Sequence, residues 1–299
     1  MNISKLVKIT IKKILIVFFV KTKFILIFEK KILNYRRYLY ENKSIFPFFS
    51  KRSKIDHFII THLYFGEYYK KHITHENQKK ISLKTLSNGQ GLYWAKHYYT
   101  NPKAKLHREN RSTIYLETEK FISNYNLNQK KNIFVNFGSS SGLDLIYFKK
   151  KFSNFKYISC DVNKEIVNFQ KENSLKFENI DYLIGTIDEV IKDLELDAIS
   201  HESKFIFFCN ATLQYCIPFY LNKTFNFLKN FKYKFYFFAS EQFRNQHNNN
   251  NISFHIKNIL WHHNLNNYVK NNELKTYFFK IKNSKKDNIN QHQNIIFGN

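Results

Sequence analysis

From residue 133 to the C-terminus, short apolar runs recur at regular intervals. They occupy 133–137, 157–160, 182–184, 205–209, 235–239, 276–281 and 294–297. Runs of this length bounded by polar residues suit buried strands, and amphipathic stretches separate most of them. Strands alternating with helices predict βαβ units around a mainly parallel sheet, an α/β fold. Residues 44–126 carry a different, mixed pattern that predicts helices. Ile114, Leu116, Phe121 and Ile122 fall at roughly helical spacing, and Asn88-Gly89-Gln90-Gly91 marks a loop. The Asn run at 248–251 marks another loop, and no internal repeat is visible.

The first forty residues form a third zone. Two apolar stretches, 14–20 and 24–28, are interrupted by Lys21 and Lys23, and a spanning helix needs about 20 nearly uncharged residues. On a helix at about 100° per residue, Lys5, Lys8, Lys12, Lys13, Lys23, Lys30 and Lys31 share one arc. Val7, Ile11, Ile14, Phe18, Ile25 and Phe28 lie opposite. That basic amphipathic pattern predicts a helix at an anionic membrane surface through residues 1–34. A helix packed on the rest of the protein with a solvated lysine face fits the same pattern. No A-x-A-like cleavage site follows the apolar stretch, which argues against a cleaved signal peptide. The organisation expected is therefore 1–43 as a basic amphipathic segment, 44–126 as a helical cap or lid, and 127–299 as the α/β domain.

Charge sharpens this division. The formal net charge is +25 over 299 residues, and ten Lys/Arg against one Glu give residues 1–40 a share of +9. Such a balance suits nucleic acid or anionic membrane. Lys, Asn, Ile and Phe are over-used while Gly (7) and Pro (3) are scarce, the bias of an A/T-rich genome, so lysine count says less than lysine placement. The three cysteines, Cys160, Cys209 and Cys216, sit in or beside apolar runs without a CxxC pair, as buried thiols of a reduced cytoplasmic protein would. Twelve His include no HExxH pattern, so no metal site is expected.

The chemistry concentrates where the first strand ends. Ile133-Phe134-Val135-Asn136-Phe137 runs into Gly138-Ser139-Ser140-Ser141-Gly142, and a helical stretch follows from Leu143. Strand, small-residue loop and helix bring backbone close to a ligand, and the free N–H groups at the helix start favour an anionic or polar group. Gly138 permits a tight turn and a close ligand approach, and Gly142 a close helix–strand contact. Asp161 ends the second run, where a carboxylate can accept both hydroxyls of a ribose. A dinucleotide-binding G-x-G-x-x-G is absent, since the residues from Gly138 read Gly-Ser-Ser-Ser-Gly-Leu.

Over about 127–299 this pattern resembles the class I S-adenosylmethionine-dependent methyltransferases. Gly138 and Gly142 match that family's acidic-x-Gly-x-Gly-x-Gly motif, with Ser140 in place of the middle glycine and Asn136 in place of the acid. Asp161 matches its ribose-binding acid, and Gly185-Thr186 its third motif without the acid. The strand at Phe205 runs through Asn210-Ala211-Thr212 to Leu213-Gln214-Tyr215, an ending similar to a subgroup found with surface-polysaccharide genes. The resemblance implies a Rossmann-like three-layer sandwich: a seven-stranded, mainly parallel sheet with strand seven antiparallel, plus a helical N-terminal extension. It implies S-adenosylmethionine as cofactor, held by Asn136, Gly138, Ser139, Ser140, Gly142, Asp161, Thr186, Ile187 and Asn210. It also implies metal-free methyl transfer to a small-molecule or sugar acceptor, in surface-glycan synthesis. The basic segment of residues 1–34, taken separately, leads to the expectation of a cytoplasmic protein peripheral at the inner face of the membrane.

Tyr215, with Gln214 beside it, is expected at the carboxyl edge of the sheet. Glu241, read as a loop residue after the fifth run, and His255, His262 and His263, read as part of a helical stretch, are candidate bases. His107, with Arg108 and Glu109, is a candidate lid contribution, and Tyr93 and Trp94 are read as packing residues. An RNA or protein methyltransferase is the alternative that the charge favours. The Asn-Pro-Pro-Tyr-like signature of base-amine methylation is missing at Asn210-Ala211-Thr212-Leu213, which makes nucleic acid the less favoured partner. A non-catalytic relative of the same fold is the third reading. Nothing in the pattern selects an oligomeric state.

Overall fold

The computed structural model describes residues 68–69, 73–87, 91–101, 113–176, 178–196, 202–243, 253–257, 260–283 and 291–299, with four scattered positions before residue 20. Apart from Lys13, the lysine arc of residues 1–34 lies outside the described residues, as does His107-Arg108-Glu109. The chain divides into two compact units: residues 1–90 with 255–260, and residues 91–254 with 261–299. In the first unit, helix α1 (His75–Thr85) starts at Thr74, whose hydroxyl accepts from the Asn77 N–H. In that unit Tyr69 is fully buried and its hydroxyl bonds Ser82 and the Gln78 carbonyl.

The second unit carries the sheet. Its elements in chain order are α2 (Gly91–Thr100), α3 (Thr113–Asn124), β1 (Ile133–Phe137), α4 (Leu143–Lys151), β2 (Lys156–Asp161), α5 (Lys164–Glu172), β3 (Asp181–Ile184), α6 (Ile187–Leu196), β4 (Lys204–Asn210), a 3-10 turn (Leu213–Tyr215), α7 (Pro218–Lys229) and β5 (Lys234–Phe243). Then follow β6 (Ser253–Lys257), β7 (Leu260–His263), α8 (Leu265–Asn271), β8 (Lys275–Asn283) and β9 (Gln291–Gly298), of which residues 255–257 of β6 and Leu260 of β7 are grouped with the first unit. Seven strands form one sheet in the order β3-β2-β1-β4-β5-β9-β8, and β6 and β7 form a separate two-stranded sheet. Pairs from β3 to β5 are parallel, and β9 runs antiparallel to both β5 and β8. All seven apolar runs are therefore strands of one mixed sheet, with the last two as an antiparallel pair.

Alternation along the central strands builds a core on each face. Ile133, Val135 and Phe137 on β1 pack with Phe205 and Phe207 on β4 and Phe235 and Phe237 on β5 beside Leu221 and Phe225 of α7. Phe134, Ile206, Phe208 and Phe238 point the other way, against Ile114 and Ile122 of α3 and Phe148 of α4. Burying a phenylalanine removes apolar surface worth about 1.5–3 kcal/mol, so these aromatic strands supply the main cohesion of the unit. Helix starts follow local capping chemistry. Asn163 accepts from the Glu165 N–H, Asn264 from the Asn267 N–H, and Glu189 reaches back to the Thr186 N–H, half of a capping box. Pro218 sits at the first position of α7, where its missing N–H is no loss.

Two local expectations are corrected. His255, His262 and His263 lie on strands β6 and β7 rather than on a helix. The Phe254-His255-Ile256-Lys257 alternation has the period of two that a strand requires, and it outweighs the looser 3.6 spacing. Glu241 is not in a loop: β5 continues through it to Phe243, and Glu241 is buried opposite Gln293 of β9. Among the described residues, no helix is long and apolar enough to cross a membrane, and no group of His, Cys, Asp and Glu is arranged to hold a metal. None of the three cysteines is in a disulfide; Cys160 and Cys209 are buried, and Cys216 is partly exposed.

Candidate functional site

The chain reverses its direction of winding between β1 and β4, so their carboxyl ends flank a topological switch point, where open α/β sheets take ligands. Three loops meet along that edge. The first, Gly138 to Gly142, is tightly pinned. The Ser139 N–H donates to the Cys160 carbonyl at 3.0 Å, and the Gly142 N–H to the Ser139 carbonyl at 2.8 Å. Gly138 and Gly142 have φ of +60° and +75°. Ser140, between them, also has a positive φ of 49°, a conformation glycine adopts more easily.

The space at Gly138 is filled from within the chain. A Cβ placed there would lie 2.3 Å from both Oγ1 and Cγ2 of Thr212. The expectation that this glycine is open to a ligand is therefore modified: its missing side chain admits the loop after β4. At Gly142 a Cβ would meet Leu175 at 2.9 Å, so that glycine serves close packing against the segment after α5. Ser139 is buried in a polar knot. Its Oγ accepts from Ser159 Oγ at 2.8 Å and from Gln170 Nε2 at 2.7 Å, and Gln170 also donates to the Ser140 carbonyl at 2.7 Å. This knot ties β1, β2 and α5 together beneath the loop.

Asp161 occupies the tip of β2. Its Oδ2 accepts from the Ser140 N–H at 3.2 Å and its Oδ1 from the Asn163 N–H at 3.1 Å. The side chain is 6% exposed. Burial pushes its pKa up to about 6, against the pull of the Ser140, Asn163 and Val162 N–H groups. A carboxylate offers about four lone-pair positions, so Asp161 keeps an acceptor position beyond its bonds to these backbone N–H groups. Ile184, paired in register with Asp161 on β3, is 53% exposed. An exposed aliphatic side chain beside an edge carboxylate suits the flat face of a base. The sequence reading passed over Ile184 and named Ile187, which is buried in the core instead. Thr186 remains at the edge, partly exposed, as the first residue of the α6 cap.

Asn136 is fully buried on the β1 face shared with Ser159, and neither of its side-chain polar atoms finds a hydrogen-bond partner. The buried Ser141 hydroxyl is likewise unpartnered. Asn210 ends β4, and Ala211, exposed and at φ +57°, donates its N–H to the Ser240 carbonyl. Tyr215 and Gln214 stand partly exposed on the 3-10 turn after β4.

The candidate bases fare differently. Glu241 is 1% exposed and its Oε1 accepts from the Thr212 and Leu213 N–H groups, both at 2.8 Å. Burial raises its pKa to about 7. His263 is also buried; its Nε2 faces the carbonyls of Leu213 and Cys216 at 3.1 and 3.0 Å and must carry the proton. Its Nδ1 then accepts from Ser253 Oγ at 2.7 Å, which in turn accepts from the Tyr268 hydroxyl at 2.8 Å. Burial lowers the His263 pKa to about 3, so the ring is neutral. His262 is buried as well. None of these three groups is presented to solvent at the strand edge.

No protein-family model matches the chain. No curated protein matches it in sequence. Solved structures do match. The magnesium protoporphyrin IX methyltransferase of Synechocystis PCC 6803, with bound SAH, aligns at a TM-score of 0.51 over 73% of this chain and 98% of that one, at 9% identity. The fold is Rossmann-like, in the methyltransferase arrangement. A 1,6-didemethyltoxoflavin-N1-methyltransferase from Burkholderia thailandensis, with bound 1,6-didemethyltoxoflavin and S-adenosylhomocysteine, is also similar at 9% identity and a TM-score of 0.48. That alignment spans 75% of this chain and 89% of that one. At such identities the likeness is one of fold.

Proposed function

We propose that the carboxyl edge of β1, β2 and β4 binds S-adenosylmethionine and that the protein transfers its methyl group to a small-molecule acceptor. The observation that carries this is Asp161: a buried carboxylate at the tip of β2, bonded to the loop after β1 and retaining acceptor capacity beyond its backbone partners. That acceptor fits the hydroxyls of a ribose, and exposed Ile184 fits the adjoining base. Ser140 and Thr186 border the same edge, and the orphaned amide of Asn136 lies directly beneath it. S-adenosylmethionine would supply an already activated sulfonium methyl, which needs no metal to react.

The chain's own contribution would then be alignment. Asp161 and the Gly138 to Gly142 loop hold and orient the nucleoside end, and the turn after β4 faces the acceptor. Tyr215 is partly exposed on that turn, Phe219 and Tyr220 follow at the start of α7, and Lys223 Nζ lies 4.7 Å from the Phe219 ring centroid and 5.6 Å from that of Tyr220. Aromatic rims with one cation suit a planar or ring-shaped small molecule. A sugar acceptor in surface-glycan synthesis is the finer reading, supported by the Leu213-Gln214-Tyr215 ending. Deprotonation of the acceptor by Glu241 or His263 has no support, because both are buried and spend their polar atoms on internal hydrogen bonds.

The test is calorimetric titration with S-adenosylhomocysteine. Asp161→Ala should weaken binding by about 1–3 kcal/mol, the cost of stranding a buried polar partner. Equal affinity in wild type and variant removes Asp161 from the site and the reading with it. A second reading is a non-catalytic protein of this fold, favoured by Thr212 filling the space at Gly138 and by the amide at Asn136. It predicts no binding at all.

A further inference from the structure

The turn Leu213–Tyr215 is gripped from both ends by buried ionisable side chains on two strands. At its N-terminal side, Glu241 of β5 accepts from Thr212, Leu213 and, through Oε2 at 3.4 Å, Gln214. At its C-terminal side, His263 of β7 donates to the Leu213 and Cys216 carbonyls. A three-residue 3-10 turn has little stability of its own. A carboxylate at its N–H end and an N–H donor at its carbonyl end match the orientation of its peptide groups. Tyr268 and Ser253 fix the ring of His263 from behind, and Gln293 of β9 bonds the His263 carbonyl and the Leu265 N–H. The grip is thus anchored to five separate elements: β5, β6, β7, α8 and β9.

Its effect reaches the first loop. Thr212, whose N–H is held by Glu241, is the residue whose side chain fills the space at Gly138. We infer that Glu241 and His263 act together as positioning residues that set the turn after β4 and, through Thr212, the loop after β1, in the arrangement that binds S-adenosylmethionine. The inference rests on the cofactor reading of this edge. It gives roles to two buried groups that touch neither ligand nor solvent. The groups facing Glu241 are uncharged: the Cys209 thiol of β4 at 3.7 Å, three turn N–H groups, Gln293 across from it on β9, and neutral His263 beyond the turn.

The test combines amide hydrogen exchange with S-adenosylhomocysteine titration on the full chain, in wild type, Glu241→Gln, Glu241→Ala and His263→Ala. In wild type the Thr212, Leu213 and Gln214 amides should be protected. Glu241→Ala should speed their exchange and weaken S-adenosylhomocysteine about tenfold or more, as expected for loss of hydrogen bonds to a charged acceptor. Glu241→Gln keeps one oxygen acceptor, so at pH 8 it should bind within about threefold of wild type. It should also lose the step in affinity near pH 7 while retaining the lower one near pH 6 that Asp161 produces. His263→Ala should release the Cys216 end and weaken binding in the same direction. Wild-type binding with unchanged affinity in folded Glu241→Ala overturns the inference. If wild type binds no S-adenosylhomocysteine, the cofactor reading fails, and the exchange arm still decides the grip: rapid exchange of all three amides in wild type refutes it.

Discussion

Gly138→Ala should destabilise the protein by about 2–5 kcal/mol, and Thr212 should be responsible for roughly half of that. Two costs add. Gly138 has φ +60°, and placing an L-residue in that region costs about 1–2 kcal/mol. The new methyl would lie 2.3 Å from Thr212 Oγ1 and Cγ2 and 2.8 Å from its Cβ, an overlap that typically costs about 1–3 kcal/mol through forced displacement. Thr212→Ala alone removes only long contacts, 3.3 Å to the Asn210 carbonyl and 3.5 Å to that of Phe137, and should cost about 1 kcal/mol or less. In the double variant the two nearest atoms are gone and only the Cβ contact persists. The pair should therefore be less damaged than the sum of the singles by about 1–2 kcal/mol. Urea unfolding reports this directly, because both tryptophans, Trp94 and Trp261, lie in the same compact unit as Gly138. Strict additivity would show that Thr212 does not occupy that space and that the two loops do not pack as described.

Three further outcomes follow from the same geometry. Ser140→Gly relieves a positive φ and should stabilise by up to about 1 kcal/mol without harming the Asp161 bond, which uses backbone N–H; a lower melting temperature contradicts it. His263 is held neutral with its pKa lowered to about 3 from 6.5, so the stability it contributes is present above pH 6.5 and is lost as pH falls towards 3; His263→Gln should flatten that part of the stability–pH profile, and an unchanged profile contradicts the buried neutral ring. Full-length protein should co-sediment with anionic vesicles through the lysine arc of residues 1–34, less so at high salt or with Lys5, Lys8, Lys12 and Lys13 replaced by Gln, whereas equal recovery on neutral vesicles contradicts it.

The sheet was legible in the sequence because its central strands are buried on both faces. Phe205 to Cys209 and Phe235 to Ala239 read as unbroken apolar runs, and that signal needs no tertiary knowledge. What escaped is set by partners distant in sequence. Glu241 follows Ser240 in a polar stretch that resembles a loop, and only pairing with the equally polar start of β9 makes it a strand. His263 reads as one of three histidines; its role depends on carbonyls about fifty residues earlier. Gly138 fitted a ligand-approach motif, yet the approaching group is Thr212, 74 positions later. Asp161 was legible because strand tip and spacing coincide, while Ile184 was passed over because an apolar residue ending a strand reads as core. A signal for Glu241 did exist: an acid at the end of one strand, beside a neighbouring strand that runs into a short helical start, is the pairing that caps such starts.

The most direct test is titration of the full chain with S-adenosylhomocysteine by isothermal calorimetry, with S-adenosylmethionine as competitor. The account predicts one saturable site with a dissociation constant of about 100 µM or tighter, a free energy of about −5.5 kcal/mol or better. It also predicts weaker binding as pH falls through about 6, where Asp161 takes up a proton. Absence of binding at millimolar ligand, with the chain folded, would contradict the assignment of this edge to S-adenosylmethionine.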